Sequence, residues 1–187
     1  MTVALQLLGL KHTGKSTVGR LFASHRGWDF YDLDHLLEGR DPAHRSSRQI
    51  YLDEGKSGFQ RRETEAAQFI APRLAQGRAV LAWGGGTVTN PDAVAALRNV
   101  GVLVTLVDKI EVLYERIQRG GRPAFLSAQH PWEDFQALYS ERSALLAAVT
   151  PWQLDLTGTS MDEACARLEH LWKETLWRAA ASDNSSN

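Results

Sequence analysis

Hydrophobic residues follow two alternating rhythms along this chain. Short runs of strand length occur at Val3–Leu8, Trp28–Asp32, Ala79–Trp83, Val100–Val107 and Trp152–Leu156. Between them lie longer amphipathic stretches. Helices are predicted to start at Lys15, Leu33, Ser57, Pro91, Ile110, Pro131 and Met161, with a further short one over Ser47–Glu54. This alternation predicts an α/β fold with a mainly parallel sheet. Val100–Val107 is almost continuously apolar, as a strand covered on both faces should be. Pro91 and Pro131 fall where a first helical turn has no N–H bond to lose. Ser160–Glu163 reads as a capping box. Behind it Cys165, Leu168, Leu171, Trp172 and Leu176 recur at helical spacing, which makes them a core face and Cys165 a packing residue.

Composition narrows the picture without changing it. The chain has 187 residues, 43% hydrophobic and 23% charged, with a formal net charge of −1. That fits one globular domain, expected over 1–180, with 181–187 as a disordered tail. The charge balance gives no global basic field, so no nucleic-acid partner is expected. The apolar N-terminus lacks a positive region and a cleavage site and reads as a buried strand, not a signal peptide. No apolar run approaches the length that spans a bilayer. A single cysteine, Cys165, excludes an intrachain disulfide and is consistent with a cytoplasmic chain. A monomer is expected.

The strongest chemical signal is Gly9-Leu10-Lys11-His12-Thr13-Gly14-Lys15-Ser16, which matches G-x-x-x-x-G-K-[ST] in full. It follows a predicted strand and opens a predicted helix, the context this motif requires. Glycines let backbone N–H groups turn inward around phosphate oxygens, and the helix N-terminus adds positive dipole at the same point. Lys15 is expected to reach the β- and γ-phosphates of ATP, and the Ser16 hydroxyl to ligate Mg²⁺. Lys11 and His12 contribute as loop residues, their side chains expected to face solvent.

Three further segments speak to the acceptor. Asp32 and Asp34 end the second strand at i, i+2, so an extended backbone puts them on one face. Strand C-termini are where open α/β sheets bind ligands. One carboxylate can serve a metal shell and the other an acceptor hydroxyl; alternatively Asp34 N-caps the next helix. Gly84-Gly85-Gly86 follows the third strand and suggests close backbone approach, or else a flexible turn. Arg119-Gly120-Gly121-Arg122-Pro123 combines glycines with guanidinium groups, as a lid closing over phosphates would.

Taken in this order, the GLKHTGKST loop, the DLD pair, the Glu54–Glu63 segment, WGGGTV, GRP and Glu141-Arg142-Ser143 resemble the shikimate kinases of the nucleoside-monophosphate-kinase-like superfamily. The resemblance runs from Val3 to about Leu171. It implies a five-stranded parallel sheet of order 2-3-1-4-5, ATP and Mg²⁺ as cofactors, and a shikimate-like hydroxy-acid as substrate. By resemblance, Gly9, Lys11, His12, Thr13, Gly14, Lys15, Ser16 and Thr17 hold the nucleotide, with Arg116 and Thr157 near adenine. Ser16 and Asp32 match the metal residues. Asp34 matches the residue that binds ring hydroxyls and acts as base, and Gly84, Gly85 and Gly86 the substrate-facing turn. Arg122 matches the lid arginine on the transferred phosphate, and Arg142 the substrate-carboxylate ligand.

The chain departs from the family at Gln60, where an arginine that also binds the carboxylate is usual, and at Ala144-Leu145-Leu146. Arg61 is a candidate replacement, although on a helix it points about 100° away from Gln60. Exchanging a charged hydrogen bond for a neutral one costs about 1.5–3 kcal/mol. Three readings follow: a shikimate kinase, a related kinase acting on another hydroxy-acid such as gluconate, or a non-catalytic ligand-binding domain of this fold.

Overall fold

A computed structural model describes residues 3–119 and 126–184. The predicted lid position Arg122, with Gly120, Gly121 and Pro123, lies outside the described residues.

Five strands form one parallel sheet: β1 (Leu5–Leu8), β2 (Asp29–Asp32), β3 (Ala79–Ala82), β4 (Val102–Val107) and β5 (Gln153–Asp155). Their order is β2-β3-β1-β4-β5, as the resemblance implies. Leu5 sits beside Val80 on one side and Val102 on the other, so β1 is the central strand. Among the described residues, seven α-helices cover the sheet: α1 (Lys15–Arg26), α2 (Leu33–Arg40), α3 (Ser47–Ala75), α4 (Pro91–Leu97), α5 (Ile110–Arg119), α6 (Pro131–Val149) and α7 (Met161–Asn184). Each strand lies inside the predicted run, a residue or two shorter at its ends.

Alternation along the strands builds a core on each face. Leu5, Leu7, Val104 and Leu106 pack with Val18 and Phe22 of α1 and with Cys165, Leu168 and Trp172 of α7. Leu8, Leu81 and Leu103 point the other way, toward Leu33, Leu37, Ile70, Leu74, Leu97 and Leu113. The predicted core face of the last helix is therefore the face that docks, with Cys165 3% exposed. Burial raises the Cys165 thiol pKa, in keeping with packing. Gln6, fully buried in β1, is satisfied by donating to the Leu97 and Val100 carbonyls and accepting from Trp83 Nε1 at 2.8 Å.

Two details differ from the sequence reading. The helices predicted at Ser47–Glu54 and from Ser57 meet in one element, α3, bent at Gly55, whose φ of 68° and ψ of −175° are non-helical. The break is real, but it is a kink and not a loop. At the C-terminus α7 runs to Asn184, into the stretch assigned to the tail. Among the described residues, no helix is long and apolar enough to cross a membrane.

Candidate active site

Every strand delivers its C-terminal end to the same edge of the sheet. β1 runs into the loop from Gly9 to Gly14, and α1 starts at Lys15. Gly9 has a φ of 137°, and a Cβ there would lie 2.5 Å from the Leu106 carbonyl, so no side chain fits beside β4. Residues Lys11, His12, Thr13, Gly14, Lys15, Ser16 and Thr17 all line one cavity of about 610 Å³. Lys15 Nζ curls back to donate to the carbonyls of Gly9 at 2.9 Å and Leu10 at 2.7 Å. Burial pulls its pKa down to about 8, against the opposing pull of Asp34 and Asp32. His12 takes a left-handed φ of 66°. Burial, then the nearby Lys11, Lys15 and Arg116 charges, lower its pKa and favour the neutral ring.

At the end of β2 the two carboxylates separate in role. Asp32 is the N-cap of α2: its Oδ1 accepts from the Asp34 N–H at 3.1 Å. The capping alternative for Asp34 is thereby set aside, because Asp32 does that work. Asp32 Oδ2 meanwhile accepts from Ser16 Oγ at 2.6 Å. This hydroxyl and carboxylate form an oxygen donor pair at the N-terminus of α1, which suits a hard cation. Among the described residues there is no cluster of three or more His, Cys, Asp or Glu side chains placed for a metal. A Mg²⁺ ion takes one or two protein oxygens and completes its shell with phosphate and water.

Asp34 faces the cavity and the glycine turn together. A Cβ on Gly84 would stand 2.7 Å from Asp34 Oδ1, 3.0 Å from Thr87 Oγ1 and 3.3 Å from Glu63 Oε1. Burial, reinforced by the Asp32 charge, raises the Asp34 pKa. Gly85 lies against the backbone of Lys11, where a Cβ would be 2.9 Å from the amide nitrogen. Its carbonyl accepts from Arg142 Nη1 at 3.0 Å, and the Arg142 guanidinium also lies beside Gly86. The turn is thus the seam between the phosphate loop and Arg142, with backbone in close approach at Gly85. Arg142 is half-buried, and that burial lowers its pKa.

Sequence reasoning gave no role to the supports of this turn. Glu63, 2% exposed, accepts from Thr87 Oγ1 at 2.6 Å and Asn90 Nδ2 at 2.9 Å. Burial raises its pKa despite these two bonds. Asn90 also caps α4. A buried glutamate amid glycines and hydroxyls leaves no periodicity to read.

Gln60 and the arginines after it divide differently from expectation. Gln60 Nε2 donates to the Thr89 carbonyl at 2.9 Å. Neither Gln60 nor Arg61 lines the cavity, and Arg61 is turned to solvent: its side chain is 69% exposed and its acidic neighbour is Glu54 at 3.7 Å. Arg62 is committed to Glu54 at 2.7 Å and Asp41 at 3.2 Å, beside Arg45.

The far end of the cavity is built from β4, α5 and β5. Arg116 lines it and donates to the His12 carbonyl at 3.0 Å. Thr157 itself sits in the loop behind it, between Leu156 and Thr159, which do line the cavity, together with Asp108 and Met161. The strand-end rule that pointed to Asp32 applies equally to Asp108, the first residue after β4.

Comparison with known proteins agrees with this geometry. The family model described as shikimate kinase matches residues 12–172. A shikimate kinase of Thiobacillus denitrificans is 39% identical over 157 residues, covering 84% of this chain and 83% of the relative. One of Symbiobacterium thermophilum is 34% identical over 164 residues, 87% and 91% of the two chains. Among solved structures, shikimate kinase from Acinetobacter baumannii in complex with shikimate superimposes with a TM-score of 0.80 at 26% identity over 95% of each chain. A gluconokinase from Sinorhizobium meliloti, at 18% identity and a TM-score of 0.55 over 94% of this chain and 97% of that one, shares the fold alone. With its phosphate loop, paired aspartates and glycine turn gathered at one sheet edge, this chain belongs to the shikimate kinase family, phosphotransferases that act on a hydroxyl group.

Proposed function

We propose that this chain transfers the γ-phosphoryl group of ATP to the 3-hydroxyl of shikimate. The observation that carries this reading is the position of Asp34, whose carboxylate lines the phosphate-loop cavity and also abuts the Gly84 turn. A hydroxyl held there by Asp34 faces a phosphate held by the loop. Phosphoryl transfer needs chiefly such positioning and charge neutralisation. Lys15 leaves its loop carbonyls for the β- and γ-phosphate oxygens. Asp34 orients the acceptor hydroxyl and takes its proton, a task that a carboxylate with a raised pKa performs better than an ordinary one. Arg142 holds the acceptor carboxylate, and Arg122 is assigned to the migrating phosphate by its sequence motif. Ser16 and Asp32 would hold a Mg²⁺ ion, which would supply neutralisation of phosphate charge. Backbone N–H groups of the loop from Lys11 to Ser16 donate to the remaining phosphate oxygens. The chain acts as a monomer in the cytoplasm.

Gln60 favours a second reading. Its amide is engaged by Thr89, which leaves Arg142 the cation assigned to the acceptor carboxylate. A weaker grip on carboxylate admits a different hydroxy-acid such as gluconate. ADP release measured with shikimate, gluconate and no acceptor separates the readings. Turnover with shikimate alone supports the first, and turnover with gluconate alone supports the second. ATP binding without turnover on either supports a non-catalytic domain.

A further inference from the structure

We propose that Asp108 is the positioning residue for the base end of the nucleotide pocket, holding Arg116 as a fixed wall against which a planar base lies. The inference rests on the nucleotide reading of the cavity.

Asp108 is 5% exposed, at the point where β4 ends and the chain turns toward α5. Its Oδ2 lies 2.9 Å from Arg116 Nη1, and the same nitrogen donates to the His12 carbonyl at 3.0 Å. Its Oδ1 accepts from the Lys109 N–H at 2.9 Å and stands 3.5 Å from the Thr157 hydroxyl. One buried carboxylate therefore touches α5 and the loop after β5, and through Arg116 it reaches the phosphate loop. All three border the cavity.

A carboxylate this short of solvent must keep a cation partner, because leaving it uncompensated is costly. Arg116 cannot swing into water without incurring that cost. An unpinned arginine would lose about 2 kcal/mol of rotamer entropy on binding a ligand. Here the guanidinium is already ordered, with 39% of the side chain still exposed. Leu156 and Met161 lie along the same cavity and offer apolar contact to a flat ring. The Arg116 charge is matched by Asp108, so the pair adds little net field at the phosphates. Its contribution falls on the base.

The test is calorimetric titration of ADP and of inorganic tripolyphosphate, which has no base, into the full chain and into Asp108→Asn. The expected result is a loss of ADP affinity of about tenfold, as for a charge-assisted contact, while tripolyphosphate, which meets an Arg116 charge no longer offset by Asp108, binds no more weakly. Arg116→Lys, which keeps the charge beside Asp108 but removes the flat guanidinium face, is expected to show the same split and serves if Asp108→Asn does not fold. Equal losses for both ligands, or no loss of ADP affinity, overturn the assignment. Failure of the unsubstituted chain to bind either ligand overturns the nucleotide reading and this inference with it.

Discussion

Asp34 Oδ1 lies 2.7 Å from the point where a Cβ on Gly84 would begin. The contact ties the end of β2 to the turn after β3, and it leaves room for a hydrogen and no more. Glycine at 84 is thus a packing requirement set by a carboxylate and by the Thr87 hydroxyl behind it.

Gly84→Ala is therefore expected to displace Asp34 while the fold survives, since the sheet itself is untouched. Misplacement of a reacting group by about 1 Å costs on the order of a hundredfold in rate. The measurement is kcat alongside a circular dichroism spectrum and a melting curve. A variant that folds normally and retains full kcat contradicts the role of this contact.

Lys15 carries a burial penalty in the free protein. Its folded pKa of about 8 lies below the ordinary 10.5, so the unfolded chain binds more protons between those values. Stability from this group therefore rises with pH from about 8 to 10.5, and the penalty is fully present below 8. Lys15→Met should melt above the natural chain at pH 7, with the gap narrowing through that window, while phosphoryl transfer is abolished. A melting point at pH 7 below that of the natural chain would refute the penalty.

Arg142→Ala should raise the acceptor KM by roughly tenfold to a hundredfold, the value of about 1.5–3 kcal/mol for a charged hydrogen bond, and leave the ATP KM nearly unchanged. Equal effects on both constants would remove Arg142 from the acceptor side. Gln60→Arg should act in the opposite sense and lower the KM of a carboxylated acceptor.

The site was legible where chemistry is contiguous in sequence. The phosphate loop, the DLD pair and the glycine turn are local strings, and the strand-end rule put them at one edge. What escaped is built by residues far apart along the chain. Glu63 meets Thr87 and Asn90 from another element, and Asp108 meets Arg116 across a turn of chain that carries no motif. The surroundings of Arg61 were hidden for a related reason. Helical geometry put it away from Gln60, but only the fold reveals that Glu54 is its acidic neighbour. That Asp32 and not Asp34 caps α2, although both line the cavity, likewise depends on where α2 starts.

Acid should unfold the chain partly through α3. Asp41, Arg45, Glu54 and Arg62 form one ion-pair network beside the Gly55 kink. Hydrogen bonds from Arg62 and then Arg45 hold Glu54 down to about 2, and those from Arg45 hold Asp41 well below the usual range. Depressed carboxylate pKa values give stability that is present above the unfolded values near 4 and is lost as pH falls toward 2. Arg62→Met should flatten the slope of melting temperature against pH in that interval. An unchanged slope would assign acid sensitivity elsewhere.

The most direct test is phosphorus NMR of the products formed from ATP and shikimate. The account predicts ADP and the 3-phosphate ester of shikimate in equal amounts, with neither formed by Asp34→Asn at a comparable rate. ADP accompanied by inorganic phosphate, at a rate indifferent to shikimate, would contradict it.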